Sequence, residues 1–158
     1  MGKPTLNQIN LVCGDLSASI AFYRRLGVEI ADAAVWRTAT GAHHANATSG
    51  SEDQAIHFDL DSTAFAQIWN SGWKGRTYLP GRVVVGFRLP ARTDVDDVFR
   101  DMIGARYRGL QEPHGAFWGA RYAIIEDPDG VAVGLMSPIS PEKNSPPPGM
   151  SEGAEVGD

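Results

Sequence analysis

One cysteine, Cys13, is all that this 158-residue sequence contains, which excludes an internal disulfide and any Cys-x-x-Cys zinc site. No apolar run approaches the roughly twenty residues of a membrane span. The opening Met1-Gly2-Lys3-Pro4-Thr5 lacks the apolar stretch of a secretory signal. A basic excess is missing too: 14 Lys and Arg stand against 19 Asp and Glu, for a net charge of −5. That is the wrong sign for a protein whose affinity comes from neutralising phosphates. No strand–Gly-rich loop–helix phosphate cradle occurs. What is present, 42% hydrophobic and 21% charged residues, is the balance of one globular domain with a core. These features together predict a soluble cytoplasmic protein with neither nucleic acid nor membrane as partner.

The apolar pattern divides the chain. Leu6–Val12 alternates as a strand does, and Asp15 then stands where a helix needs an N-cap. Leu16, Ile20 and Tyr23 recur at helical spacing up to Gly27, a helix stop. Val35–Thr38 and His43–Ala47 flank Gly41 as a hairpin, and Ile56–Leu60 alternates again. Asp61-Ser62 caps a second predicted helix bearing Phe65, Ile68 and Trp69, which closes at Gly72–Gly75. A strand over Arg82–Leu89, a helix over Asp94–Ile103 and three strands (107–110, 120–126 and 131–136) complete the pattern. Asp127-Pro128-Asp129-Gly130 joins the last two, with proline setting φ and glycine permitting a positive one. From Pro138 to Asp158 the prolines lose all apolar periodicity, which predicts a disordered tail.

Strand–helix–three strands thus occurs twice. Val84–Leu89 falls on Gln8–Cys13 with an offset of 76, and Phe99–Gly104 falls on Phe22–Gly27 with an offset of 77. Val133–Met136 falls on Ile56–Asp59, again at 77. The expected fold is α+β: two tandem βαβββ modules form a cup-shaped mixed sheet, with helices on its convex face. One domain covers 5–137, with module 1 at about 5–61, a linking helix at 62–81 and module 2 at about 82–137. Alternation turns Ile9, Leu11, Ile56, Phe58 and Leu60 to the helices, and Gln8, Asn10, His57 and Asp59 to the hollow.

At this point the sequence resembles the vicinal oxygen chelate superfamily of glyoxalases, bleomycin resistance proteins and dioxygenases. The likeness is carried by Gln8-Ile9-Asn10-Leu11-Val12, Asp15-Leu16-Ser17-Ala18-Ser19 and Phe22-Tyr23. Later it is carried by Phe117–Ala123, Asp127–Gly130 and Gly134-Leu135-Met136-Ser137-Pro138. The resemblance implies a divalent metal held by one inward ligand from the first and last strand of each module. Carried over, those positions are Gln8, His57, Val84 and Gly134. Two of them have no donor, whereas a catalytic metal needs about three protein ligands. No cofactor is therefore favoured. A divalent metal would have to borrow ligands, with Gln8, His57 and His44 as the residual candidates. The resemblance also implies a homodimer.

A hollow rich in aromatic residues suits a small molecule, since apolar walls supply affinity and a few polar groups set orientation. The expected ligand-binding residues are Gln8, Asn10, Trp36, His57, Arg88, Trp118 and Arg121. An inward arginine needs either an acidic partner within the protein or an anionic group on the ligand. His114 is expected in a loop, and Trp69 in the core. The favoured function is metal-independent binding of a small aromatic or amphipathic molecule. Two enzymatic alternatives stay open: a metal-dependent lyase, isomerase or dioxygenase, and a metal-free enzyme in which His57 and Asp59 transfer protons.

Overall fold

Strand alternation decides how the chain layers. The computed structural model describes residues 8–49, 56–69, 75 and 83–146. The chain divides into two compact units, 1–79 with 128–130, and 80–127 with 131–158. In the first, β1 (Gln8–Cys13) leads through α1 (Leu16–Leu26) to the hairpin β2 (Val35–Thr38) and β3 (Gly41–Ser49). β4 (Ile56–Ser62) and α2 (Thr63–Trp69) follow. The sheet order is β1-β4-β3-β2, with β1 parallel to β4 and the other pairs antiparallel.

Local chemistry fixes α1 at both ends. Asp15 accepts the Ala18 amide at 3.0 Å, and Gly27, at φ 105°, adopts the left-handed conformation that ends the helix. Leu16, Ile20, Phe22 and Tyr23 are buried, as are Ala45, Ala47, Phe58 and Leu60 of the sheet. The Tyr23 ring meets Phe58 edge-on at 4.9 Å.

The second unit repeats this plan with β5 (Val84–Arg88), α3 (Arg92–Gly104), β6 (Arg108–Gly115), β7 (Arg121–Glu126) and β8 (Ala132–Met136). The order is β5-β8-β7-β6, with β5 parallel to β8. Val95 and Met102 of α3 are fully buried, together with Ala123, Ile125, Val133 and Leu135 of the sheet. The architecture is α+β, two βαβββ modules as the sequence predicts, and no described helix is long and apolar enough to cross a membrane. In the 127–130 turn, the Asp127 amide and carboxylate bond the Val131 carbonyl and amide at 3.0 and 2.9 Å. Asp129, part of the first unit, accepts the Gly14 amide at 2.9 Å and the Ser19 hydroxyl at 3.4 Å.

Three local expectations change. β6 runs through Glu112–Gly115, read from the sequence as a loop, and His114 pairs with Tyr122; a register irregularity between Gln111 and His114 accommodates Pro113. α2 buries Ala66 rather than its large residues, leaving Ile68 79% and Trp69 48% exposed, because so short a helix meets the sheet only along one narrow line. Residues 138–146 are ordered by backbone bonds. Ser140 and Ser145 amides donate to the Gly119 and Phe117 carbonyls at 3.0 and 2.7 Å, and Asn144 bridges Trp118. Composition registers apolar burial, not such pairing, which is why this segment reads as a tail. Residues 6–7, the helix stop at 72–74 with its Trp73, Arg82 and the tail from 147 lie outside the described residues.

Candidate functional site

On the first sheet, the face away from α1 carries two hydrogen-bonded polar groups, one around Asp59 and one around Asp61. β1 lies beside β4 with Gln8 opposite His57 and Asn10 opposite Asp59; β3 brings Asn46 opposite Asp59 and His44 opposite Asp61. Alternation places all of these on one face. Gln8 Nε2 and Asn46 Nδ2 donate to the two carboxylate oxygens of Asp59, each at 2.5 Å. Asn10 Nδ2 donates to Asp61 Oδ2 at 2.8 Å, and His44 Nδ1 lies 2.5 Å from Asp61 Oδ1. Both aspartates are buried, at 5% and 1% exposure, and these donors replace the water each has lost. At the far edge, Phe65 of α2 stands 5.3 Å from the Trp36 ring and 5.7 Å from His44. His43 turns the other way, to the hydroxyls of Thr38, Thr40 and Ser62.

Gln8, Asn10 and Asp59 therefore come together, but His57 does not join them. It is exposed and has no partner among the described residues. The expected His57–Asp59 pair does not form among the described residues, because the amides of Gln8 and Asn46 occupy Asp59; the histidine–aspartate contact on this face is His44–Asp61. Asp61 and Asn46 were missed, although a signal existed: each stands two residues along its strand from a named site residue, on the same face.

The second sheet's face away from α3 is built differently. Pairing aligns Val84, Gly86 and Arg88 with Ala132, Gly134 and Met136, and sets Ile124 and Tyr122 opposite the last two. The Tyr122 ring covers Gly134, where an added Cβ would lie 2.7 Å from the phenol oxygen and 3.1 Å from a ring carbon. Burial raises the Tyr122 phenol pKa, so it stays protonated. The aromatic row extends from His114, 6.2 Å from Tyr122, to Trp118 at 5.1 Å and then Phe117, 4.9 Å from Trp118. Arg88 is exposed, with no partner among the described residues.

Arg121 is not on this face. Strand alternation sends it to the helix side, where its Nε and Nη2 donate to Asp96 of α3 at 3.0 and 2.5 Å. Its expected ligand role falls away, because this internal carboxylate satisfies the guanidinium. The bond holds the Asp96 carboxyl below its ordinary value and raises the guanidinium further.

Strand register also corrects the repeat. Gln8 pairs with His57, whereas its counterpart Val84 pairs with Ala132, two residues before Gly134. The counterpart of Gly134 is therefore Asp59 rather than His57. In the first unit the two metal positions become Gln8 and Asp59, already bonded to each other. In the second, Val84 offers no donor and Gly134 lies under a tyrosine ring. Among the described residues no three His, Cys, Asp or Glu side chains gather to hold an ion, and of the borrowed set Gln8 bonds Asp59 and His44 bonds Asp61. The residues do not fit the divalent centre that the resemblance implies.

Solved structures share the fold. A glyoxalase/bleomycin resistance protein/dioxygenase family enzyme from Burkholderia phytofirmans PsJN has a TM-score of 0.68 at 15% identity, over 85% of this chain and 98% of its own. A glyoxalase-related enzyme from Fulvimarina pelagi has a TM-score of 0.67 at 19% identity, over 85% and 88%. A lactoylglutathione lyase from Agrobacterium tumefaciens has a TM-score of 0.58 at 18% identity, over 87% and 96%. No curated protein matches the sequence. The family model for the Glyoxalase/Bleomycin resistance protein/Dioxygenase superfamily matches residues 5–135, and the chain belongs to that superfamily.

Proposed function

We propose that this protein binds a small aromatic or amphipathic molecule without a metal, on the aromatic face of its second sheet. The observation that carries the reading is Tyr122 lying over Gly134: a position where the resemblance implies a metal ligand instead supports a flat ring. Trp118 continues that surface, and stacked rings favour aromatic partners beyond their buried area. Arg88, exposed and without an acidic partner among the described residues, supplies the group that an anionic substituent on the ligand would meet. Gln8, Asn10, Trp36 and His57 remain proposed ligand contacts of the first sheet. We extend the proposal to a cytoplasmic homodimer, which the resemblance supports and sedimentation would test.

The experiment is tryptophan fluorescence of the full chain against a panel of aromatic carboxylates. A binding compound quenches wild-type emission, the quench is lost in Trp118→Phe, and Arg88→Ala weakens binding by about tenfold, near 1.4 kcal/mol. If no compound quenches emission or raises the unfolding temperature, metal-free binding is wrong.

A further inference from the structure

We infer that Gly86 is the seat of a flat aromatic ring, and that the ligand is an aryl carboxylate with an apolar substituent opposite its carboxylate, lying along β5. The inference rests on the binding proposed for the open face of the second sheet and names the class of molecule taken there. A glycine inside a strand packs no side chain and costs backbone entropy, so it persists where something requires it. Two such requirements are internal: a positive φ, or a neighbour so close that no Cβ fits. Gly41 has the first, at φ 119°. Gly109 and Gly134 have the second, since an added Cβ would stand 2.8 Å from Phe99 Cζ and 2.7 Å from the Tyr122 phenol oxygen. Gly86, in the interior of β5, has neither. Its φ is not positive, and among the described residues nothing beyond its chain neighbours lies within 4 Å of an added Cβ. The β5–β8 register runs unbroken through it, so it marks no bulge. The requirement left is external, a flat group that lies against the backbone.

Strand register shows what surrounds this bare position. Across the open face Gly86 pairs with Gly134, and Gly134 with Ile124. The Tyr122 ring covers Gly134, which is buried, and leaves Gly86 exposed. The seat is therefore floored by backbone, with an aromatic ring on its β8 side. Val84 and Arg88 stand two residues away in either direction on the same face, roughly 13 Å apart at about 3.3 Å per residue. That interval holds one six-membered ring with a group at each end. Val84 is 53% exposed, and Arg88 is exposed with no partner among the described residues.

The two ends of the seat differ in polarity, which fixes the direction of the ligand. From Val84 the face continues through Ala132 to Glu126, whose carboxylate accepts from Arg108 at 3.4 Å. From Arg88 it continues through Met136 to Tyr122. A carboxylate is drawn to the Arg88 guanidinium and away from Glu126, so the opposite end of the ring falls on Val84. A planar ring touches a side-chain-free backbone over its whole face, whereas a puckered saturated ring loses contact over part of it. The class selected is a para-substituted benzoate rather than its saturated counterpart.

The probes are 4-ethylbenzoate and trans-4-ethylcyclohexanecarboxylate, titrated into the full chain by calorimetry. Wild type binds the flat acid about tenfold more tightly than the saturated one. Gly86→Val keeps β5, because valine suits a strand and its Cβ meets open space, so the unfolding temperature stays level with that of wild type or rises. The same change fills the seat and weakens 4-ethylbenzoate by about tenfold. Val84→Asn narrows the preference for 4-ethylbenzoate over unsubstituted benzoate. Equal affinity of Gly86→Val and wild type, equal affinity for the two probes, or a lower unfolding temperature in Gly86→Val would overturn the seat. Aromatic carboxylates that quench Trp118 in wild type yet bind Gly86→Val equally well sink the seat and leave the binding face standing. So does binding of other aromatic carboxylates without 4-ethylbenzoate. If wild type takes none of them, both proposals fail.

Discussion

The two sheets have one topology and opposite open faces. The first links amides and a histidine to two buried aspartates by hydrogen bonds. The second carries Gly86 and Gly134 among apolar side chains and Arg88, and covers Gly134 with Tyr122. A single βαβββ plan therefore tolerates either solution, because the helix side alone makes the core and the other side is free to diverge. One face bonds its buried carboxylates to amides and a histidine, and the other seats a ring on a glycine.

The sharpest way to break this comparison is Asp61→Leu. It keeps the branched outline, adds bulk, and leaves the Asn10 amide and His44 without their shared acceptor, and an expected loss of about 3 kcal/mol would appear in urea unfolding. An unchanged midpoint would mean that the polar face contributes nothing to folding. On the second sheet, Gly134→Ala drives a methyl against the Tyr122 phenol, with an expected cost of about 2 kcal/mol. The same change in a Tyr122→Ala background should be nearly neutral, and the double-mutant cycle measures the coupling. Equal costs in both backgrounds would show that the ring does not seat on Gly134.

How much of this was legible beforehand depends on the distance over which each feature is decided. Asp15, Gly27 and the 127–130 turn act within a few residues, so their roles follow from local chemistry. The inward set Gln8, Asn10, His57 and Asp59 follows from alternation alone. Which inward groups bond one another does not, because parallel pairing staggers the strands: Gln8 lies opposite His57 yet bonds Asp59. The same two-residue stagger misled the repeat at Gly134. Arg121 illustrates a different limit, since its partner Asp96 lies on a helix whose docking no local pattern encodes.

That helix-side pair provides the smallest test of the asymmetry between core and open faces. Asp96 and Arg121 are 34% and 28% exposed at their side chains, so solvent screening limits the pair to well under about 1 kcal/mol. The hydrogen bond from Arg121, reinforced by its charge and opposed by partial burial, lowers the Asp96 pKa from 3.8. A carboxyl whose folded pKa is depressed contributes stability that is fully present above its unfolded pKa and lost as pH falls through the folded one. The pair's contribution should therefore be constant from neutral pH down to about pH 5 and fade below 3.8. Urea midpoints of wild type and Asp96→Asn, measured from pH 6 downward, should differ at the upper end and converge in acid. Divergence in acid would mean that the carboxyl is held protonated and that Arg121 is not its partner in solution.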